Sequence, residues 1–395
     1  MSALDRCYSI PDLREAAKRR LPRGVFEFVD RATEDHIAVQ NNRDAFHKIR
    51  LMHRALVDVS GRKTETMLFG KPAALPMIIA PTGAAGLCWH EGELELAKAA
   101  AKAGIPLTLS TASMTAMEKI VGAGGRLWFQ LYVWKQRELS HALIERVKQA
   151  GFETLIVTVD SPVGPNREYN QRNGFGLPFT PTLRFTLDMM RHPLWVQSVL
   201  MKYFTTIGMP RHENYPPEYQ KSILSGVGSR EALRADSLDW DDIRRFRDMW
   251  PGPLMLKGIN RVDDAMKAVE YGLDGLIVSN HGGRNMDSAV ATLDVLPEIA
   301  EAVGHRTTLI LDSGVRRGSD IVKALALGAK AVLTGRATLY GTAVGGAAGA
   351  GKAISIIKSE FDKTMAYTGC RAVDEITADI IFRAHGANRW AEAAN

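Results

Sequence analysis

TLILDSGVRRGSDIVKALALGAKAVLTGR, Thr308–Arg336, reads as a short apolar strand, a glycine-containing loop, a helix running into glycine, and a second apolar strand. Working outward, the same unit recurs. Short runs rich in Val, Ile and Leu stand at PMIIA (Pro76–Ala80), PLTLS (Pro106–Ser110), LWFQLY (Leu127–Tyr132), TLIVTVD (Thr154–Asp160), LMLKG (Leu254–Gly258), GLIVSN (Gly275–Asn280), TLILDS (Thr308–Ser313) and AVLTG (Ala331–Gly335). Continuous runs of this length fit strands buried on both faces, the pattern of a parallel sheet. EGELELAKAAAKAG, ending at Gly104, repeats apolar residues at helical spacing and stops at a glycine suited to a left-handed cap. RELSHALIERVKQAG, RVDDAMKAVEYG and GSDIVKALALGA follow the same design. Eight such units predict an α/β fold, a closed (β/α)8 TIM barrel whose active site gathers at the C-terminal ends of its strands. Those ends carry Gln130, Tyr132, Asp160, Arg167, Lys257, His281, Arg284, Asp312, Arg316 and Arg336. This is the layout of an enzyme.

Three stretches lie outside the rhythm. Residues 1–75 precede the first strand, and Pro11–Phe28 reads as one or two basic amphipathic helices that cap the barrel or reach over its mouth. The barrel spans 76–375, with an insertion of about 161–238 after strand four, and residues 376–395 form a C-terminal tail. The centre of the insertion, HPLWVQSVLMKYFTTIGMP (His192–Pro210), is too apolar for ordinary disorder, and Arg191, Lys202 and Arg211 flank or interrupt it. Two readings stand side by side: a lid or subunit contact, or a segment lying in a membrane interface, where apolar side chains enter the lipid and cations meet anionic headgroups.

A chain of 395 residues with 46% hydrophobic content supports one large barrel. Its net charge of +6 and pI of about 9.1 come without an aromatic-interleaved basic stripe, which argues against nucleic acid and for local attraction of anions. Cys7, Cys88 and Cys370 have neither disulfide nor metal spacing. No signal peptide and no bilayer-spanning run are apparent, so a cytoplasmic enzyme is expected, peripheral on the inner face of the cell membrane if the interfacial reading holds.

Lys257 lies inside an apolar strand, where an ammonium needs an anionic partner. That partner is either a neighbouring strand's carboxylate or a bound cofactor that becomes negative. Small residues at Ser313, Gly314 and Gly335 beside Arg316 and Arg336 suit a phosphate, which barrels commonly hold after strands seven and eight. His281, in SNHGGR, is the general-base candidate, since imidazole titrates nearest neutrality. Asp160 would orient it, Arg284 and Arg167 offer planar forks for a carboxylate, and Tyr132 would bond a substrate oxygen.

The motifs APTG, LSTAS, FQLYV, TVDSP with NRE, LKG, SNHGGR, DSGVRRG and TGR stand in the order found in FMN-dependent L-2-hydroxy acid dehydrogenases and oxidases. The chain resembles that family from about residue 9 to 375, nearest the (S)-mandelate and bacterial L-lactate dehydrogenase branch. The resemblance implies FMN as cofactor, with Thr82, Gly83, Ser110, Gln130, Thr158, Lys257 and Ser279 near its ring or ribityl chain. Asp312, Gly314, Arg316, Gly335 and Arg336 would hold ribityl and phosphate. It further implies His281, Asp160, Tyr132 and Lys257 as the catalytic set, Arg167 and Arg284 on the substrate carboxylate, a quinone or O2 as acceptor, and a homotetramer. Phe28 departs from the pattern by replacing a tyrosine that helps bind the carboxylate. Ala112 replaces the bulky tryptophan of glycolate-oxidising relatives and enlarges the pocket towards aryl or long-chain substrates.

The leading expectation is therefore oxidation of an L-2-hydroxy acid to its 2-keto acid. Gly83 resembles the dehydrogenase branch rather than the oxidases that carry alanine there. An O2-using oxidase is the alternative in the same class, and a low-turnover flavoprotein scaffold the alternative from another. Whether hydrogen leaves as hydride or after carbanion formation stays open at this point.

Overall fold

The computed structural model describes residues 3–176, 182–220, 222 and 234–382. Eight parallel strands close into a barrel: β1 (Met77–Ile79), β2 (Leu107–Ser110), β3 (Leu127–Leu131), β4 (Thr154–Thr158), β5 (Leu254–Ile259), β6 (Gly275–Val278), β7 (Thr308–Leu311) and β8 (Ala331–Thr334), with β8 pairing back onto β1. Each falls within the apolar run that predicts it, give or take a residue. The strands are buried on both faces, because alternate residues pack inward and outward. Ile78, Trp128, Ile156, Met255, Ile277, Ile310 and Leu333 fill the barrel, and a larger layer packs between strands and outer helices.

The predicted helices form at Gly92–Ala103, Arg137–Gln149, Val262–Glu270 and Gly318–Ala326. Gly104 closes the first in the left-handed conformation, where its amide donates to the carbonyls of Ala100 and Ala101. One element escapes sequence reading: Thr66–Leu68 and Lys71–Ala73 form an antiparallel hairpin that puts Leu68 and Phe69 against Trp128, plugging the barrel from its N-terminal end.

Pro11–Phe28 resolves into two helices, α1 (Ile10–Arg20) and α2 (Arg23–Asp30). Ser9 and Asp12 cap α1 reciprocally. The α2 helix lays Phe28 and Val29 over the barrel mouth, and its last residue Asp30 is tied to Arg14 at 2.6 Å and to the Tyr340 hydroxyl at 2.7 Å. After it, α3 (Ile37–Lys48) packs beside the loop after β6, where Asn42 and Asn280 exchange amide hydrogen bonds at 2.9 Å. The tail begins docked, since Phe382 N donates to Arg50 O at 2.8 Å; the rest of the predicted 376–395 tail, from 383 on, lies outside the described residues.

The centre of the insertion is helical. Leu183–Met190 leads into a second helix, Pro193–Trp195 continued through a π-type turn at Val196–Met201 into Lys202–Thr206. Its apolar residues do not share one surface, so only the outward part of the segment is available to the lid, subunit or membrane contact expected of it. Trp195, Val199 and Tyr203 face inward: the Trp195 indole donates to Leu87 O at 2.7 Å, and the Tyr203 hydroxyl accepts from Glu91 N at 2.9 Å. Leu194, Met201, Phe204 and Ile207 face outward with Leu183, Leu187 and Met190.

Candidate active site

The loop after β6 positions the central imidazole. His281 has a left-handed backbone (φ 58°), a strained choice for a non-glycine residue, and Ser279 Oγ accepts its amide at 3.0 Å. Its Nδ1 is 2.9 Å from Asp160 Oδ1, and Nε2 is 3.3 Å from the Tyr132 hydroxyl. An Nδ1–H donated to Asp160 leaves Nε2 as the free acceptor. Burial pushes the imidazole below its ordinary pKa; Asp160 opposes that push and Lys257 adds to it. The Asp160 carboxyl moves the other way: burial would raise it, but His281 and Lys257 outweigh burial and hold it at about 2. The pair is therefore neutral imidazole beside carboxylate, the state of a waiting base.

Asp160 reaches this place because of Gly258. That glycine has φ 110°, and a Cβ there would stand 2.4 Å from the Asp160 Cβ. Asn285 completes the support by donating to Asp160 O at 2.8 Å and to Ser161 Oγ at 2.7 Å.

Lys257 is 3% exposed, and both sequence readings of it keep their ground. Its ammonium donates to Ser279 Oγ at 3.0 Å and lies 3.2 Å from Asp312 Oδ2, while the Ser279 hydroxyl donates to the same carboxylate at 2.6 Å. Burial would lower its pKa, yet Asp312 and Asp160 raise it, so the ammonium stays charged at the edge of the cavity. Beside it, Ser110 donates to Gln130 Oε1 (3.0 Å) and Gln130 Nε2 to Thr158 Oγ1 (2.8 Å), a buried row across β2, β3 and β4.

One cavity of about 200 Å³ joins the predicted residues: Phe28, Thr82, Gly83, Ser110, Ala112, Tyr132, Arg167, Lys257, His281, Arg284, Asp312, Gly314, Arg316, Gly335 and Arg336 all line it. Asp160, Gln130 and Ser279 do not line it but brace residues that do, and Thr158, also outside the lining, holds Gln130.

The arginines differ in what they have to give. Arg316 is buried enough to lower its pKa; its amide donates to Asp320 Oδ2 at 2.9 Å, and among the described residues its guanidinium donates only to the neighbouring Val315 O at 2.8 Å, which leaves donors for an anion. Arg336 sends Nε to Val29 O (3.1 Å), NH1 to Gly282 O (2.9 Å) and NH2 to Arg31 O (3.0 Å). Arg284 donates to Phe28 O and Arg31 O at 2.8 and 3.0 Å, and burial with nearby Arg167 depresses it to about 10. These two cations thus cap the carbonyl end of α2, where positive charge is favoured. Both carboxylate candidates stack over the Phe28 ring, Arg167 at 5.8 Å and Arg284 at 5.2 Å.

Sequence reasoning missed Asn285 and Arg234, and it marked Ser313 only as a small residue of the phosphate loop. The Ser313 hydroxyl accepts from Gly282 N at 2.9 Å, and Arg234 stacks 4.0 Å from the Tyr132 ring centroid. SNHGGR running on into Asn285 could have flagged the first; nothing local marks the last.

Comparison with known proteins places the chain in a family. The model of the family described as FMN-dependent dehydrogenase matches residues 17–383. The chain is 38% identical over 375 residues to (S)-mandelate dehydrogenase of Pseudomonas putida, covering 95% of this chain and 93% of that one. It is 40% identical over 387 residues to an L-lactate oxidase of Nostoc sp., covering 96% and 100%. A crystal structure of the monotopic membrane protein (S)-mandelate dehydrogenase superposes with a TM-score of 0.89 at 37% identity, covering 95% of this chain and 99% of that one. With its (β/α)8 barrel and this match, the chain belongs to the FMN-dependent dehydrogenase family of 2-hydroxy acid dehydrogenases and oxidases.

Proposed function

We propose that this enzyme oxidises a bulky or aryl L-2-hydroxy acid to its 2-keto acid and passes the electrons to a membrane quinone. The observation that carries the reading is the imidazole of His281, held through Nδ1 by Asp160, with Nε2 turned to Tyr132 in the cavity that also exposes Arg167 and Arg284. Bound FMN supplies the two-electron acceptor. His281 Nε2 takes a proton from the substrate, and Asp160 stabilises the imidazolium that forms. Arg167 and Arg284 hold the substrate carboxylate and so orient its C2, while Tyr132 bonds the hydroxyl oxygen. Lys257 supplies the cation that favours electron uptake; Arg316, with its spare donors, and Arg336 suit the phosphate.

Ala112 leaves room for a large side chain, and Gly83 belongs to the same wall: a Cβ at Gly83 would approach the Ala112 methyl at 3.2 Å. The outward row of Leu194, Met201, Phe204 and Ile207 supports peripheral attachment to the inner face of the cell membrane, beside a quinone. Among the described residues no helix is long and apolar enough to cross a membrane. A homotetramer is proposed with it.

The test is anaerobic mixing of the holoenzyme with a panel of L-2-hydroxy acids, L-mandelate and L-lactate included, followed by air or a soluble quinone. Bleaching of the flavin by a bulky member and faster reoxidation by quinone are expected. Faster reoxidation by air identifies an oxidase instead, and a flavin that no panel member bleaches identifies a low-turnover scaffold.

A further inference from the structure

A second chamber of about 400 Å³ adjoins the substrate cavity, and the two share the side chains of Tyr132 and Arg234. Arg234 stands where the insertion returns to the barrel. Its backbone bridges to Trp134 and the next amide, Ala235 N, donates to Val133 O at 2.9 Å, so sheet-like pairing sets its position. The guanidinium lies 4.0 Å from the centroid of the Tyr132 ring. Stacking uses the flat face of the group and leaves its in-plane N–H donors for an acceptor. Among the described residues none accepts from it, and no carboxylate pairs with it.

The other cations of the cavity are accounted for. Lys257 pairs with Asp312, Arg284 and Arg336 hold the carbonyls of α2, and Arg316 suits the cofactor phosphate. One substrate carboxylate needs Arg167 and Arg284. Arg234 is therefore a surplus positive charge on the substrate's side of the site, close enough to Arg167 to lower that residue's pKa after burial has done so. Beyond Arg234 the chamber turns apolar, with Leu238, Trp240 and Ile243, and carries Asp236, Asp239 and Asp264, so an anion is stopped at Arg234 and not drawn deeper.

We propose that Arg234 binds a second anionic group on the substrate, making the preferred substrates L-2-hydroxy acids with another carboxylate at the far end of a short chain. The inference rests on the assignment of the cavity to 2-hydroxy acid oxidation. Ala112 supplies the space for the longer molecule, and Tyr132 fixes the plane of the guanidinium.

The test uses matched pairs of equal chain length on the holoenzyme: L-malate against L-2-hydroxybutyrate, and L-2-hydroxyglutarate against L-2-hydroxyvalerate. For at least one pair the dicarboxylate should be favoured in kcat/KM by about tenfold or more, chiefly through KM, with the preference shrinking as salt rises. Arg234→Met should bring that ratio close to one, and Arg234→Lys should keep part of it because the charge remains. A wild-type ratio near one for both pairs overturns the inference. So does an equal loss by Arg234→Met on both members of a pair, which would make Arg234 a positioning residue for Tyr132. If neither these acids nor L-mandelate bleach the flavin, the oxidation reading itself falls; if monocarboxylates bleach it and dicarboxylates gain nothing, only the role of Arg234 falls.

Discussion

Single side chains set the chemistry, and each can be questioned separately. His281→Gln should keep FMN and substrate binding but slow flavin reduction by at least about a hundredfold, the scale of a lost general base. Near-normal reduction in rapid mixing would mean another group takes the proton. The base works only when neutral, and burial holds its pKa below the ordinary 6.5, so the acid limb of the reduction rate should fall below that value. Asp160→Asn removes the charge that opposes the depression: the limb should move lower still, while the rate drops because the imidazolium loses its counter-ion. A limb above 6.5 in the wild type would contradict this assignment of His281. At Phe28, where two guanidinium groups already flank the ring, Phe28→Tyr adds a donor near the carboxylate site. Substrate binding should tighten by up to about tenfold, equal to roughly 1.4 kcal/mol. Weaker binding of both L-lactate and L-mandelate would show a pocket shaped for phenylalanine and another ligand.

Elements act as mounts for these groups. The end of β5 bends at Gly258 with a backbone that side chains rarely adopt, and only hydrogen fits against Asp160. Gly258→Ala should cost about 1–3 kcal/mol in chemical denaturation and should slow flavin reduction as Asp160 is pushed from His281. Retention of both stability and rate would mean the loop relaxes freely. The helix of the insertion divides its labour by face: Trp195, Val199 and Tyr203 anchor it, and the outward residues are available to lipid. Leu194→Ser with Phe204→Ser should therefore release the protein from anionic vesicles without changing flavin reduction by substrate. If the wild type ignores such vesicles in a flotation assay, the outward row serves a lid or subunit contact instead.

At the scale of the whole molecule, the cavity is a meeting of α2, the loops after β1, β2, β6, β7 and β8, and the end of the insertion, with several buried cations facing one another. Their mutual repulsion is relieved when anions arrive, so cofactor binding and folding are linked. FMN at a hundred times its Kd should stabilise the fold by about 2.7 kcal/mol, seen as a higher melting temperature than that of apoprotein. Equal melting of the two forms would mean the cations are already satisfied without it.

The order of strands, the closed barrel and most of the site were legible in the chain. A buried parallel strand must be apolar throughout, and barrel topology sends the residue after each strand to one common mouth. His281, Asp160, Lys257 and the forked arginines are thus marked by being polar where polarity is costly. The hairpin at Thr66–Ala73 was not legible, since three-residue strands containing Lys71 and Pro72 have no periodicity to detect. The two faces of the insertion helix, the capping of α2 by Arg284 and Arg336, and the stacking of Arg234 on Tyr132 were decided only in three dimensions. Their partners lie more than a hundred residues away in the chain, where no local pattern of side chains records which groups will meet.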